Sequence, residues 1–448
     1  MKKLILGLLA VLLVTSISAQ DGKKAQKKAA RALGAFNLDP SNNKAKLNEA
    51  VAEIDIAAAD SEAAGLAGTW QTKGEIYNAV ANQIVIGKQL NQDMSGLPEV
   101  KDPAMGAAEA FMKAYDLAVK KYEKKDALKG MRSVQGNLSN LGIFQFEEGN
   151  YNGAFENFKL VLDTHDKIKS GDAKEESALD KEEDYNNQLY ITGLAALNAE
   201  RSSDAEAYFT KLYDIKYDKP AIYEALYKIQ AAKGDDEANL TAAYKYLEEG
   251  RKANPDDVSI LFAEINHFLR INKLDELITK LKMAIEKEPQ NVSLYSTLGN
   301  VYDNLYQKEL EAGNEETANT YFDNAKDYYQ QALDKDPEYV DAIYSVGALY
   351  YNRAAAMTLE LNKLADDYSK EGIKKYEALK ADIFNEFDQA LPFFQQAEAL
   401  DPNDANTLIA LKEIFARKDD LEKSKEFKDR LDKVNAGGSN DASYFKKN

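Results

Sequence analysis

Residues 289–302 read PQNVSLYSTLGNVY, and residues 337–350 read PEYVDAIYSVGALY. The two stretches align without a gap: proline first, a large residue at Tyr295 or Ile343, then Leu298 or Val346, Gly299 or Gly347, and Tyr302 or Tyr350. The second half of each unit repeats as well, with Ala325, Tyr329, Ala332 and Pro337 in one and Ala390, Phe394, Ala397 and Pro402 in the other. Spacings of three and four put these residues on one helix face. Proline between units cannot continue a preceding helix but fits the entry to the next. Small residues let two helices approach, and the large residues a turn away fill the remaining space. The pattern therefore predicts helical hairpins, each with an apolar face that only a neighbouring hairpin can cover.

Weaker copies lie upstream. Leu138, Leu141, Gly142, Ala154, Phe158 and Val161 flank a Gly149-Asn150 turn. Trp70, Gly74 and Tyr77 precede Ala107, Phe111 and Ala114 with a long insert between, and Gly193 with Ala205 and Phe209 marks a further unit. The pattern resembles the tetratricopeptide repeat (TPR) family, whose unit is 34 residues, and Pro255 and Pro289 are 34 apart. The resemblance implies an all-α, right-handed superhelical solenoid of about eight repeats plus a C-terminal capping hairpin. The units are read at 23–62, 67–120, 130–166, 185–217, 219–257, 258–291, 292–339 and 340–404, with the cap at 405–434 and a polar tail at 435–448. The run Gln83-Ile-Val-Ile-Gly87 has strand-like composition but no partner, and reads as helix.

Two units depart from the family length. Pro289 to Pro337 is 48 residues, with the Gly313-Asn314 turn seven residues late, so each helix gains seven residues. Pro337 to Pro402 is 65 residues, which either extends both helices or inserts another near Tyr368 to Phe387, with a kink or restart at Pro392.

Residues 1–19 read as a secretory signal: Lys2 and Lys3, an apolar run from Leu4 to Val14, and small residues ending at Ser18-Ala19. No other stretch approaches the roughly 20 apolar residues of a membrane helix, so direct membrane insertion is not expected. Without the two signal lysines, 55 basic side chains face 75 acidic ones, a surface that repels nucleic acid. The 49 Lys against 8 Arg, with abundant Asn and Tyr, fit an exported bacterial protein, and a periplasmic location is expected.

Chemistry is sparsely provided. With no cysteine there are neither thiol nucleophiles nor disulfides, and the two histidines, His165 and His267, lie in different repeats. The acidic run Glu175, Glu176, Asp180, Glu182, Glu183 and Asp184 lacks the Asp/Asn-Gly alternation of calcium loops. No phosphate loop or nucleophile elbow is present. No catalytic residue, metal or cofactor is expected.

The resemblance places partner binding on an inner, concave face of the first helices. Projected onto this sequence, that face carries Phe262, Asn266, Arg270, Asn300, Asn304, Tyr344, Tyr351 and Asn352, where amides hold a peptide backbone and aromatics clamp side chains. Ser296 and Tyr344 stand where chaperone-binding relatives carry lysines that grip a C-terminal carboxylate. Trp70, Gly74, Tyr77, Gly142, Ala154, Gly193, Gly299, Tyr302, Ala325, Ala332, Gly347, Tyr350, Ala390 and Ala397 are read as packing residues. The expected function is a protein interaction scaffold of the cell envelope, most specifically serving an outer-membrane assembly or secretion complex. The alternative is a carbohydrate- or cell-wall-binding accessory protein.

Overall fold

The computed structural model describes residues 21–217 and 219–446; the signal read at 1–19 lies outside them. The chain divides into two compact units between Ala253 and Asn254. In the first, residues 21–38 (α1) pair with Lys44–Ala59 (α2), Ala67–Leu90 (α3) with Pro103–Leu117 (α4), and Lys121–Glu147 (α5) with Tyr151–Gly171 (α6). Glu182–Asn198 (α7) with Ser202–Asp214 (α8), and Pro220–Ala231 (α9) with Glu237–Ala253 (α10), complete it. The second unit pairs Val258–Arg270 (α11) with Leu274–Lys287 (α12), and Val292–Glu311 (α13) with Glu315–Lys335 (α14). Its last hairpins are Val340–Leu364 (α15) with Lys370–Leu400 (α16), and Ala405–Arg417 (α17) with Leu421–Asn435 (α18). Within each unit every hairpin packs on the next, α4 on α5 or α14 on α15 for example. The strand-like run 83–87 lies inside α3.

The repeated glycines owe their place to an aromatic ring on the paired helix. A Cβ on Gly299 would lie 2.5 Å from the Tyr329 ring, one on Gly142 2.5 Å from Phe158, one on Gly193 3.0 Å from Phe209, and one on Gly347 3.1 Å from Phe394. The sequence pattern suggests backbone approaching backbone; in the structure the ring fills the space that a Cβ would take. Phe111 is wedged twice, against Gly74 of its own hairpin and against Gly130 of the next. Alanines flank these rings: Ala154, Ala325, Ala332 and Ala390 are fully buried, and Ala397 is nearly so. Tyr302 is buried and stacks on Tyr328, while Tyr350 meets Phe322 edge to face. Trp70 is half-buried, donates its indole N–H to the Ala64 carbonyl at 2.8 Å, and has the Lys113 ammonium over its ring. The Tyr77 hydroxyl reaches Asp55 at 2.7 Å.

Five hairpins share one turn. The second residue after the first helix takes a left-handed conformation at Gly149, Glu200, Asn272, Gly313 and Asp419. The next N–H then bonds a carbonyl five residues back, as in Asn150 to Gln145 at 2.8 Å and Asn314 to Glu309 at 2.9 Å. This closes the helix by satisfying an orphan carbonyl. Gly149 and Gly313 meet the left-handed requirement without a side-chain penalty.

The long hairpins are long because their helices are. α13 and α14 have 20 and 21 residues, against 13 and 14 for α11 and α12. In the next hairpin α15 has 25 and α16 has 31 residues, with no inserted helix, and α16 runs through Pro392. The extra turns enclose polar groups. Asp303 is held above the usual carboxylate range by burial, although Gln307 donates to it at 3.2 Å. Glu386 is likewise raised by burial and faces Arg353, whose guanidinium lies over Phe322. At the tip, Leu359, Tyr368 and Ile373 are exposed.

The segment read as a polar tail packs against the last hairpins. Glu398 of α16 is fully buried and accepts from Ser443 Oγ at 2.5 Å, Tyr444 N–H at 2.8 Å and Arg430 at 3.2 Å. Phe445 stacks on Phe427, which itself stacks on Phe415. Composition concealed this because the segment's partners come from α16, α18 and the loop between α16 and α17.

Three outcomes follow. Gly142→Ala should destabilise the fold by about 1–3 kcal/mol through overpacking. Gly136→Ala in the same helix, where a Cβ meets nothing within 4 Å, should stabilise it by about 0.5–1 kcal/mol; thermal melts of the pair compare them directly. Deleting residues 439–448 should remove about 2–4 kcal/mol from the last hairpins, read as faster amide exchange in α17 and α18 with α3 to α6 unchanged. Asp303→Asn should raise the melting temperature near neutral pH. A raised folded-state pKa means the folded chain binds the proton more tightly, so this stability is present at low pH and lost as pH rises through the folded pKa; the gain from the variant should therefore vanish toward about pH 4.

Candidate functional site

The first helices of the hairpins present a recess in each unit. In the first unit a cavity of about 790 Å³ opens between α1, α3 and α5. Its lining is rich in carboxamides: Asn37 on α1, Gln71, Asn78, Asn82 and Gln89 on α3, and Asn137 and Asn140 on α5. On α3 these fall four or seven apart, which is one helix face. Part of the set is internally bonded, with Asn137 donating to Asn78 at 2.8 Å and Asn78 to Ser133 at 3.2 Å. Gln71 Nε2 donates to Glu75 at 2.9 Å, while its Oε1 is buried without a partner among the described residues. A carboxamide both donates and accepts, as a peptide bond does. Sequence reasoning concentrated on the regular C-terminal repeats and missed this face, although the amides stand at helical spacing in the sequence.

In the second unit a cavity of about 390 Å³ lies between α13, α15 and α17. It gathers Ser296 and Asn300 from α13, Tyr344 and Ser345 from α15, and Asp404 and Thr407 at the start of α17. Two of the candidate binding residues, Asn300 and Tyr344, thus share one site. Asn300 Oδ1 accepts from the Tyr329 hydroxyl at 2.7 Å, which joins the site to the glycine-ring wedge beneath it. Burial holds the Tyr344 hydroxyl in its protonated form, helped by the nearby Asp404 charge. The Tyr344 ring meets Phe394 edge to face at 5.6 Å.

The remaining candidates lie elsewhere. Tyr351 packs against Phe387 and Phe394 at 5.5 and 6.3 Å, so its ring serves the core. Phe262 is half-buried on α11, and Asn266 and Arg270 are exposed on the same helix. Asn304 and Asn352 are exposed outside the recess.

The groups considered for chemistry have structural roles. His165 Nδ1 lies 2.9 Å from Ser177 Oγ, and Gln135 accepts from Ala178 N–H at 2.7 Å, which pins the loop between α6 and α7. Asp180 in the acidic run pairs with Lys169 at 2.5 Å and accepts from Ser177 N–H at 3.0 Å. His267 is buried on α11, edge to face with Phe268. Among the described residues no group of His, Asp and Glu is arranged to hold a metal ion, and no helix is long and apolar enough to cross a membrane.

No protein-family model and no curated protein matches the chain. Solved structures do. A TPR repeats protein from Bacteroides fragilis matches at 22% identity, covering 52% of this chain and 98% of that one, with a TM-score of 0.33. MamA from Desulfovibrio magneticus matches at 15% identity over 44% and 96% of the two chains, TM-score 0.31. A thermophilic TPR protein in Thermus thermophilus matches at 17% identity over 50% and 99%, TM-score 0.29. The helix pairs, their wedged rings and their shared turns make this chain an all-α protein of TPR-like helical repeats.

Proposed function

We propose that this chain is a non-catalytic interaction scaffold of the bacterial cell envelope that holds an extended segment of a protein partner on its first-helix faces. The observation that carries this reading is the carboxamide lining between α1, α3 and α5, where the Asn37 and Asn82 side chains and Gln71 Oε1 have no hydrogen bond among the described residues. An extended backbone needs alternating donors and acceptors, and asparagine or glutamine supplies both from one side chain. The polar recess between α13, α15 and α17 offers a second point of attachment. The envelope assignment rests on the signal-like pattern of residues 1–19 and the lysine-rich, cysteine-free composition. A partner in outer-membrane assembly or secretion is the most specific form of the proposal.

The test places a photo-crosslinking amino acid at position 82 or position 344 of the full chain in the native host, followed by fractionation and mass spectrometry. The reading predicts a periplasmic protein that yields the same few discrete adducts from both positions. Adducts spread over abundant bystanders, or a protein retained in the cytoplasm, contradict it.

A further inference from the structure

We propose that the recess between α13, α15 and α17 receives a primary ammonium group, the side chain of a lysine on the partner protein. The assignment deepens the scaffold reading and rests on it. The lining contains two carboxylates, Asp341 and Asp404, and no lysine, arginine or histidine. One oxygen of Asp404 is committed, accepting from Thr407 N–H at 2.7 Å as the cap of α17. The other has no hydrogen bond among the described residues, and Asp341 adds its charge from the first turn of α15. In the same lining, Ser296 is 3% exposed, and its Oγ is buried with no hydrogen-bond partner among the described residues. A buried hydroxyl left unpaired is costly, and here it belongs to the lining of a polar recess.

The balance of groups selects the ligand. An ammonium brings three donors and no acceptor, which suits oxygen acceptors backed by two negative charges. A peptide C-terminus would bring a third negative charge to the site, so the carboxylate grip of the chaperone-binding relatives is reversed here. A guanidinium needs a flat, two-pronged acceptor, and the free Asp404 oxygen is a single point. A neutral saccharide would leave both carboxylates uncompensated.

The test follows backbone amides of Ser296, Asn300 and Tyr344 by NMR in the deuterated chain from residue 20 to its C-terminus. The probe is the blocked peptide acetyl-Ala-Ala-Lys-Ala-Ala-amide, with its acetyl-lysine and arginine counterparts. The lysine peptide should give saturable shifts at these amides, and the acetyl-lysine peptide should bind at least about tenfold more weakly. Asp404→Asn keeps a good helix cap while removing the charge, and Asp341→Asn removes the other; each should weaken the lysine peptide several-fold without altering the spectrum of α1 to α6. Raising the salt concentration should weaken it further. Equal binding of the lysine and acetyl-lysine peptides overturns the assignment. So does saturation of the same amides by chitotetraose and not by the lysine peptide, or no saturable shift up to roughly 10 mM peptide. If the adducts from position 344 persist while the lysine peptide fails, the ammonium assignment falls alone and the scaffold reading stands.

Discussion

Five hairpins of this chain, α3/α4, α5/α6, α7/α8, α13/α14 and α15/α16, close where an aromatic ring on one helix occupies the place of a missing Cβ on the other. Gly299 under Tyr329, Gly142 under Phe158 and Gly193 under Phe209 are three instances, and Phe111 between Gly74 and Gly130 extends the device from one hairpin to the next. An aromatic side chain buries roughly 150–250 Å². The glycine accepts its helix-propensity cost of about 1 kcal/mol because the ring needs the room. This arrangement also sets which face of the first helix remains open. With one side turned to the ring and another to the neighbouring hairpin, the remaining face is left for polar side chains, and both recesses lie there.

Much of this was legible in the sequence. The two aligned stretches at 289–302 and 337–350 contain the glycines, the Ala-aromatic-Ala runs contain the rings, and proline marks the joints. The lengthened helices around Gly313 follow from counting residues between prolines. The physical role of the glycines did not follow, since spacing cannot tell a ring from a backbone as the close neighbour. The choice between longer helices and an added helix before Pro402 also stayed open, because Pro392 and the charged run 360–380 fit both; α16 simply continues through them.

The candidate site was less legible, for a different reason. Asn300 and Tyr344 both line the recess between α13, α15 and α17, whereas Tyr351, one helical turn and three residues further on, packs on Phe387 and Phe394 and does not line it. A few tens of degrees of rotation on a helix separate a lining residue from a core residue, and repeat spacing does not resolve that angle. The amides of α3 and α5 are ordinary polar residues until two helices far apart in sequence set Asn78 against Asn137. Glu398 is a more extreme case: it reads as a surface charge, and is buried where Arg430 and residues 443–445 pack onto it.

In each unit the first-helix face carries a recess backed by the wedged rings, lined by amides and hydroxyls in the first unit and by hydroxyls and carboxylates in the second. Hydrogen exchange of the full chain, with and without the partner captured by crosslinking, tests this most directly. The account predicts added protection in the first helices, α3 and α5 or α13, α15 and α17, with their paired second helices unchanged. Protection confined to the second helices, or to the exposed tip around Tyr368, would contradict it.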